Sequence, residues 1–329
     1  MNFQGVKIAG TGSYAPEKVL TNDDLSKIVD TTDEWIQTRT GIRERHIARD
    51  DEFTSDMSAA ASVKALESAG LNPEDVELII VATLTPDKIF PNTASLVQAK
   101  IGSPKAACFS IEAGCTGFVY ALEVASGMIG SGLYKNALVI GAEKLSSIVD
   151  WTDRTTCVLF GDGAGAAVLK AVAPEENTYL GSDLGSNGEQ HNILHIPGGG
   201  CAIPVSQKVI DEKLNTLSMN GKEVFKHAVN GMANSAQATL DEAGLTIDDI
   251  DWVVAHQANY RIISAVGQKL NVPEEKVYIN VDRFGNTSAA SVPLAFDEMI
   301  QKDLIKRGDK ILFVAFGGGL TWGASIVKY

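Results

Sequence analysis

Leu66-Glu67-Ser68-Ala69-Gly70-Leu71-Asn72-Pro73-Glu74-Asp75-Val76-Glu77-Leu78-Ile79-Ile80-Val81-Ala82 has a counterpart later in the chain. It is Leu240-Asp241-Glu242-Ala243-Gly244-Leu245-Thr246-Ile247-Asp248-Asp249-Ile250-Asp251-Trp252-Val253-Val254-Ala255-His256, aligned without a gap. Each reads as a helix stopped by glycine, an acidic turn and a short apolar strand. A second echo pairs Phe160-Gly161-Asp162-Gly163-Ala164-Gly165-Ala166-Ala167-Val168-Leu169 with Phe316-Gly317-Gly318-Gly319 and the following Gly323-Ala324-Ser325-Ile326-Val327. One echo could arise by chance, since helix–glycine–turn–strand is common. Two in the same order predict a duplicated α/β unit, dividing near residues 172 to 175 into halves 1–173 and 174–329.

Short runs rich in Val and Ile occur at Leu78 to Ala82, Ala137 to Ile140, Val158 to Phe160, Val253 to Ala255 and Ile311 to Ala315. Such runs predict strands buried on both faces, with helices layered over mixed or parallel sheets. Gly181 to Pro204, rich in Gly, Asn and Pro, is expected to be an excursion between the halves. At 329 residues the chain can bury a large core, and 45% hydrophobic with 21% charged residues marks a globular protein. A net charge of −13 opposes wholesale nucleic-acid binding. The start, Met1 to Lys7, lacks the basic and apolar regions of a secretory leader, and no apolar run is long enough to span a membrane. Cys108, Cys115, Cys157 and Cys201 are scattered without a C-x-x-C pair, which suits reduced thiols and a cytoplasmic location, without structural zinc.

The duplication also points to chemistry. His256 falls where the first copy has Ala82, at a strand end, where side chains emerge into a crevice. Cys115, in Glu112-Ala113-Gly114-Cys115-Thr116-Gly117-Phe118, lies between a strand-like stretch, Ala106 to Ile111, and a helix-like stretch, Phe118 to Gly130. A helix start favours the thiolate, so Cys115 is either a nucleophile or a small buried hydrophobe. Asn286, in Gly285-Asn286-Thr287-Ser288, is either a catalytic amide or ordinary turn chemistry. Gly317-Gly318-Gly319 is either a tight connection or a source of backbone donors for an oxyanion. Gly161-Asp162-Gly163-Ala164-Gly165 runs into a strand and lacks the G-x-G-x-x-G spacing, so it is not a nucleotide loop. Cys, His and Asn in this order also occur in papain-like hydrolases, but the flanks of Cys115 lack their pattern and a duplicated α/β chain is the wrong architecture.

Six segments together resemble the 3-oxoacyl-[acyl-carrier-protein] synthase III family. They are Asp33-Glu34-Trp35-Ile36 with Thr38-Arg39-Thr40-Gly41-Ile42; Ala113-Gly114-Cys115-Thr116-Gly117-Phe118; Phe160-Gly161-Asp162-Gly163-Ala164-Gly165; His256-Gln257-Ala258-Asn259; Gly285-Asn286-Thr287-Ser288; and Phe316-Gly317-Gly318-Gly319 with Thr321-Trp322-Gly323. Asn286 stands where elongating ketoacyl synthases carry a second histidine. The chain departs from the family at Ser110, where an aspartate is common, and at Gly114 and Thr116.

The resemblance implies a five-layered α-β-α-β-α thiolase fold, a homodimer and a Cys115–His256–Asn286 triad. It also implies an oxyanion hole from the N–H groups of Cys115 and Gly318. The implied reaction is decarboxylative condensation of a short acyl-CoA, such as acetyl-CoA, with malonyl-acyl carrier protein, through an acyl-Cys115 intermediate. It would initiate fatty-acid synthesis with no metal and no cofactor, acyl-CoA being a substrate. CoA is expected at Trp35, Arg39 and Arg154, and the carrier protein at Lys226 and Arg261 with Lys222 and Lys269 nearby. Phe90 is expected to reach the acyl pocket of a partner subunit. A specialised condensing enzyme of secondary metabolism is the alternative within this chemistry.

Overall fold

The computed structural model describes residues 3–329; Met1 and Asn2, where the leader reading begins, lie outside them. Nine strands build two sheets. The first contains β1 (Gly5–Tyr14), β2 (Leu78–Ala82), β3 (Ala107–Ile111), β4 (Asn136–Glu143) and β5 (Gly163–Val172), in the order β1-β5-β4-β2-β3. The second contains β6 (Tyr179–Ser186), β7 (Trp252–Ala255), β8 (Lys310–Gly317) and β9 (Thr321–Lys328), in the order β7-β8-β9-β6. The parallel pair β2–β4 corresponds to β7–β8, and the antiparallel pair β1–β5 to β6–β9. The first half adds β3, the strand that leads to Cys115.

Alternation of side chains across each strand builds the layers. In β2, Leu78, Ile80 and Ala82 face one core while Ile79 and Val81 face another. In β8, Ile311, Phe313 and Ala315 share the core of Leu78, whereas Leu312, Val314 and Phe316 face outward into a third. Seven principal helices are α1 (Asp33–Thr40), α2 (Thr54–Ala69), α3 (Thr93–Ile101), α4 (Gly117–Gly130), α5 (Gly221–Ala243), α6 (Tyr260–Lys269) and α7 (Ser291–Gln301). Helices α2 and α3 cover the outer face of the first sheet, α4 and α7 fill the space between the sheets, and α5 and α6 cover the second. The result is a five-layered thiolase fold. Among the described residues no helix is long and apolar enough to cross a membrane.

Both glycines of the first echo end their helices as the sequence suggests. Gly70 (φ 58°) and Gly244 (φ 65°) are left-handed caps, and Leu71 and Leu245 donate back to Leu66 and Leu240. Three expectations need correction. Val158 to Phe160 is turn, not strand. Val158 and Phe160 are buried in the core of the second half, Leu159 is half-buried against it, and only Phe160 forms a bridge, with Asn286. The second echo is sound for β5 and β9 but misplaces its phenylalanines, because Phe316 lies inside β8 and Phe160 in that turn. Gly181 to Pro204 is not wholly an excursion, since Tyr179–Ser186 is the edge strand of the second sheet. Its glycines, serines and aspartate hid it.

Phe313 of β8 faces the central helical layer, fully buried and edge-on to Phe296 at 5.0 Å between centroids. Phe313→Ala should lower unfolding stability by about 3–5 kcal/mol, read as a reduced urea midpoint.

Candidate active site

Strand β3 delivers the chain to a tight turn, Gly114–Thr116, and α4 starts immediately afterwards. Cys115 sits on that turn, 8% exposed, at the floor of a cavity of about 1250 Å³. The Gly317–Gly318 backbone presses against it from the second half. A side-chain carbon at Gly317 would stand 2.5 Å from the Cys115 nitrogen, and one at Gly114 would stand 3.0 Å from the Gly318 nitrogen. Thr321 Oγ1 holds this junction, lying 3.0 Å from Ala113 O, 3.2 Å from Gly318 O and 2.8 Å from Thr116 Oγ1. The sequence expectation was a thiolate favoured by the helix start. Burial overrides it and pushes the Cys115 thiol up to about 12, with Ser288 acting the other way and Glu143 adding to the rise.

His256 follows β7 and is buried, its backbone N–H bonded to Val314 O at 2.7 Å. Nδ1 lies 2.7 Å from Ser291 Oγ, which also accepts the Gln257 N–H. Burial lowers the imidazole to about 3, so it is neutral at working pH. Asn286 is clamped between halves: its N–H donates to Leu159 O at 2.8 Å, and its carbonyl accepts from Gly161 N–H at 3.0 Å. Its side-chain Oδ1 accepts the Ser288 N–H at 2.8 Å, which leaves the amide nitrogen for the cavity. Cys115, His256, Asn286 and Gly318 all line that cavity. In a papain-like site the asparagine would orient the histidine; here Ser291 is the partner of His256, and Asn286 lines the same cavity with no bond to the imidazole among the described residues.

Two family models described as 3-oxoacyl-[acyl-carrier-protein (ACP)] synthase III match residues 109–188 and, as its C-terminal part, 240–329. The chain is 54% identical, over 98% of its length and 97% of the relative's, to beta-ketoacyl-[acyl-carrier-protein] synthase III of Caldanaerobacter subterraneus subsp. tengcongensis. The chain belongs to the 3-oxoacyl-[acyl-carrier-protein] synthase III family. It is thus an acyltransferase that makes 3-oxoacyl groups in fatty-acid synthesis. The solved 3-oxoacyl-[acyl-carrier-protein] synthase III of Aquifex aeolicus superposes with TM-score 0.91 at 49% identity, covering 99% of this chain and all of that one (100%). The priming beta-ketosynthase of a polyketide biosynthetic pathway gives TM-score 0.92 at 34% identity, covering 99% and 97%.

The remaining residues expected from the synthase III resemblance fall at the mouth or outside it. Trp35 and Arg39 of α1 line the entrance. Arg154 lies over the Trp35 ring with its guanidinium 5.5 Å from the ring centre, and donates to Asp30 O at 3.0 Å. Lys222 and Arg261 also line the entrance, and Arg261 stacks over Phe225 at 5.8 Å. Lys226, one turn beyond Lys222, is exposed, whereas Lys269 lies at the far end of α6, bonded to Asn230. Phe90 is 86% exposed and is not brought to the cavity of its own chain.

Sequence reasoning missed Ser291, Thr321, Glu143 and the cavity roof, where Leu194–His195 pairs with Ser218–Met219. Glu143 was findable by the rule that picked out His256, a polar residue closing an apolar strand. With no substrate bound, alkylation of Cys115 by iodoacetamide should quicken about tenfold per pH unit from about pH 6 to about pH 9, because the thiolate fraction rises all the way to the elevated pKa. A plateau near neutrality would show the helix start prevailing over burial.

Proposed function

We propose that the chain condenses a short acyl-CoA, most simply acetyl-CoA, with malonyl-acyl carrier protein, through an acyl-Cys115 intermediate. The observation that carries this is one cavity lined by a buried thiol and by the neutral side chains of His256 and Asn286, each held by its own partner. Cys115 sulfur attacks the acyl-CoA thioester carbon, and the oxyanion lies between the N–H groups of Cys115 and Gly318. The carbon–sulfur bond to CoA breaks, and the thiol proton ends on the departing CoA sulfur.

The malonyl thioester then enters. Ser291 Oγ, accepting from Gln257 N–H, can give its own proton to Nδ1 of His256, which leaves the ring proton on Nε2. Nε2–H and the Asn286 amide donate to the thioester oxygen as the malonyl carboxylate leaves as carbon dioxide. The enolate carbon attacks acyl-Cys115, and the 3-oxoacyl product departs on the carrier as the thiol re-forms with a proton from solvent. No step asks for a metal or a resident cofactor.

Supporting CoA at the entrance, Trp35 offers a flat ring beneath Arg154. A base between them needs about 7 Å, two carbon contact distances, so Arg154 must swing from its 5.5 Å stacking position. Arg39 is placed for CoA phosphates. Lys222, Lys226 and Arg261, continued by Lys269 along the same helix pair, give an otherwise acidic chain a basic strip for an acidic carrier protein. The exposed Ile89 and Phe90 support a homodimer in which Phe90 enters the partner's acyl pocket. Four free cysteines, none paired, suit a reducing cytoplasm.

Intact-mass analysis after acetyl-CoA exposure should show one acetyl group, absent in Cys115→Ala. His256→Ala should still acylate but lose about 10²–10³-fold in decarboxylation. Condensation by Cys115→Ala would refute the scheme, and acylation without turnover of malonyl-carrier protein would favour a specialised enzyme of secondary metabolism. Reversing charge at Lys226 and Arg261 should raise KM for the carrier substrate several-fold and leave acyl-CoA kinetics unchanged.

A further inference from the structure

Glu143 ends β4 and is fully buried, yet the scheme above gives it nothing to do. Its carboxylate accepts from Thr83 Oγ1 (3.1 Å), Leu84 N (3.2 Å), Thr85 N (3.1 Å), Thr85 Oγ1 and Ser288 Oγ (3.2 Å). Each threonine hydroxyl accepts a backbone N–H on its oxygen and keeps its own proton for the carboxylate. Thr85 Oγ1 accepts Lys144 N–H at 2.9 Å, and Thr83 Oγ1 accepts Thr85 N–H at 3.1 Å. Every contact is therefore a donor to a carboxylate. A protonated Glu143 would have to reverse one of them.

Among the described residues no Lys or Arg nitrogen pairs with this carboxylate. Lys144, the next residue, sends its ammonium to Arg49 O and Glu52 O, both at 2.7 Å. Burial raises the Glu143 carboxyl to about 7, and the surrounding hydroxyls and N–H groups pull it back. A buried carboxylate without a cation partner is a poor way to hold two layers together, since an apolar residue of similar size commonly does so at no loss. Its position points to chemistry instead.

Ser288 Oγ is the one contact of the five that comes from the second half. Ser288 lines the cavity, is left-handed without being glycine (φ 50°), and sends its N–H to Asn286 Oδ1 at 2.8 Å. Such a backbone conformation costs on the order of 1–3 kcal/mol and persists only where surrounding contacts enforce it. Glu143 supplies the side-chain contact that does so. Ser288 also has only one proton. Glu143 and the neighbouring Cys115 sulfur compete for it.

We propose that Glu143 is a positioning residue for the condensation half of the reaction: by holding the Ser288 hydroxyl, its carboxylate fixes the Asn286–Ser288 turn that aims the Asn286 amide at the malonyl thioester oxygen. The proposal rests on the reaction proposed above and assigns Glu143 no contact with substrate. Its signature is a split between half-reactions. Removing the charge loosens the amide donor while relieving the electrostatic opposition to the Cys115 thiolate. Decarboxylation and condensation should fall while acylation holds steady or quickens.

The experiment measures three quantities for wild type, Glu143→Gln, Ser288→Ala and the double variant. They are acetyl transfer from acetyl-CoA to Cys115, carbon dioxide release from malonyl-carrier protein, and KM for that carrier substrate. Both single variants should lose about 10–100-fold in carbon dioxide release, with KM and acylation within about twofold of wild type or acylation faster. The double variant should be no worse than about threefold below the weaker single, because both act through one turn. Equal losses in both half-reactions, or losses that multiply in the double variant, overturn the proposal. So does wild-type carbon dioxide release by Ser288→Ala, which decides the matter even where Glu143→Gln does not fold. Absence of acetyl transfer in the wild type would instead refute the reaction itself.

Discussion

Two backbones from opposite halves meet at the nucleophile with no side chain between them, and the site depends on that meeting. Gly317 ends a strand of the second sheet and Gly318 begins the turn after it, while Cys115 sits on the turn that follows a strand of the first. A carbon 2.5 Å from the Cys115 nitrogen cannot be accommodated, so any residue larger than glycine at 317 would part the halves there. Stacking two similar sheets on a shared helical layer makes the approach possible. Strand ends of both sheets then open on the same space, which Cys115 lines from one half and His256, Asn286 and Gly318 from the other.

The same junction recurs around Asn286. Its backbone is bonded on both sides to the Leu159–Gly161 turn of the first half, and its side chain is oriented by Ser288. His256 is held differently, by Ser291 on the central helix α7. The two side chains thus take their orientation from unrelated supports, Ser288 for one and Ser291 for the other.

Much of this could be read in the amino-acid order, because glycine caps and alternating apolar strands are local signals. The paired stretches ending at Ala82 and His256 gave both the layering and one site residue. Tertiary effects escaped. Tyr179–Ser186 has weak strand chemistry and is held by its neighbour β9, while Val158 to Phe160 has strong strand chemistry and is buried without a sheet. The charge state of Cys115 was misjudged for a similar reason: the helix start is visible in sequence, whereas the loss of solvent around the sulfur is set by residues far along the chain. Glu143, like His256, is a polar residue at the end of an apolar strand, and its partners Thr83, Thr85 and Ser288 come from distant parts of the chain.

Cys115, His256 and Asn286 share one further property: all three are uncharged at rest, and Phe160, Leu145, Val158 and Phe316 line the same cavity with hydrocarbon. The cations Arg39, Lys222 and Arg261 stay at the rim. A malonyl carboxylate carried inward therefore sheds its hydration without meeting a compensating ion, whereas carbon dioxide, being apolar, is at ease in the same surroundings. The chamber is a poor host for the acid and a good one for the gas.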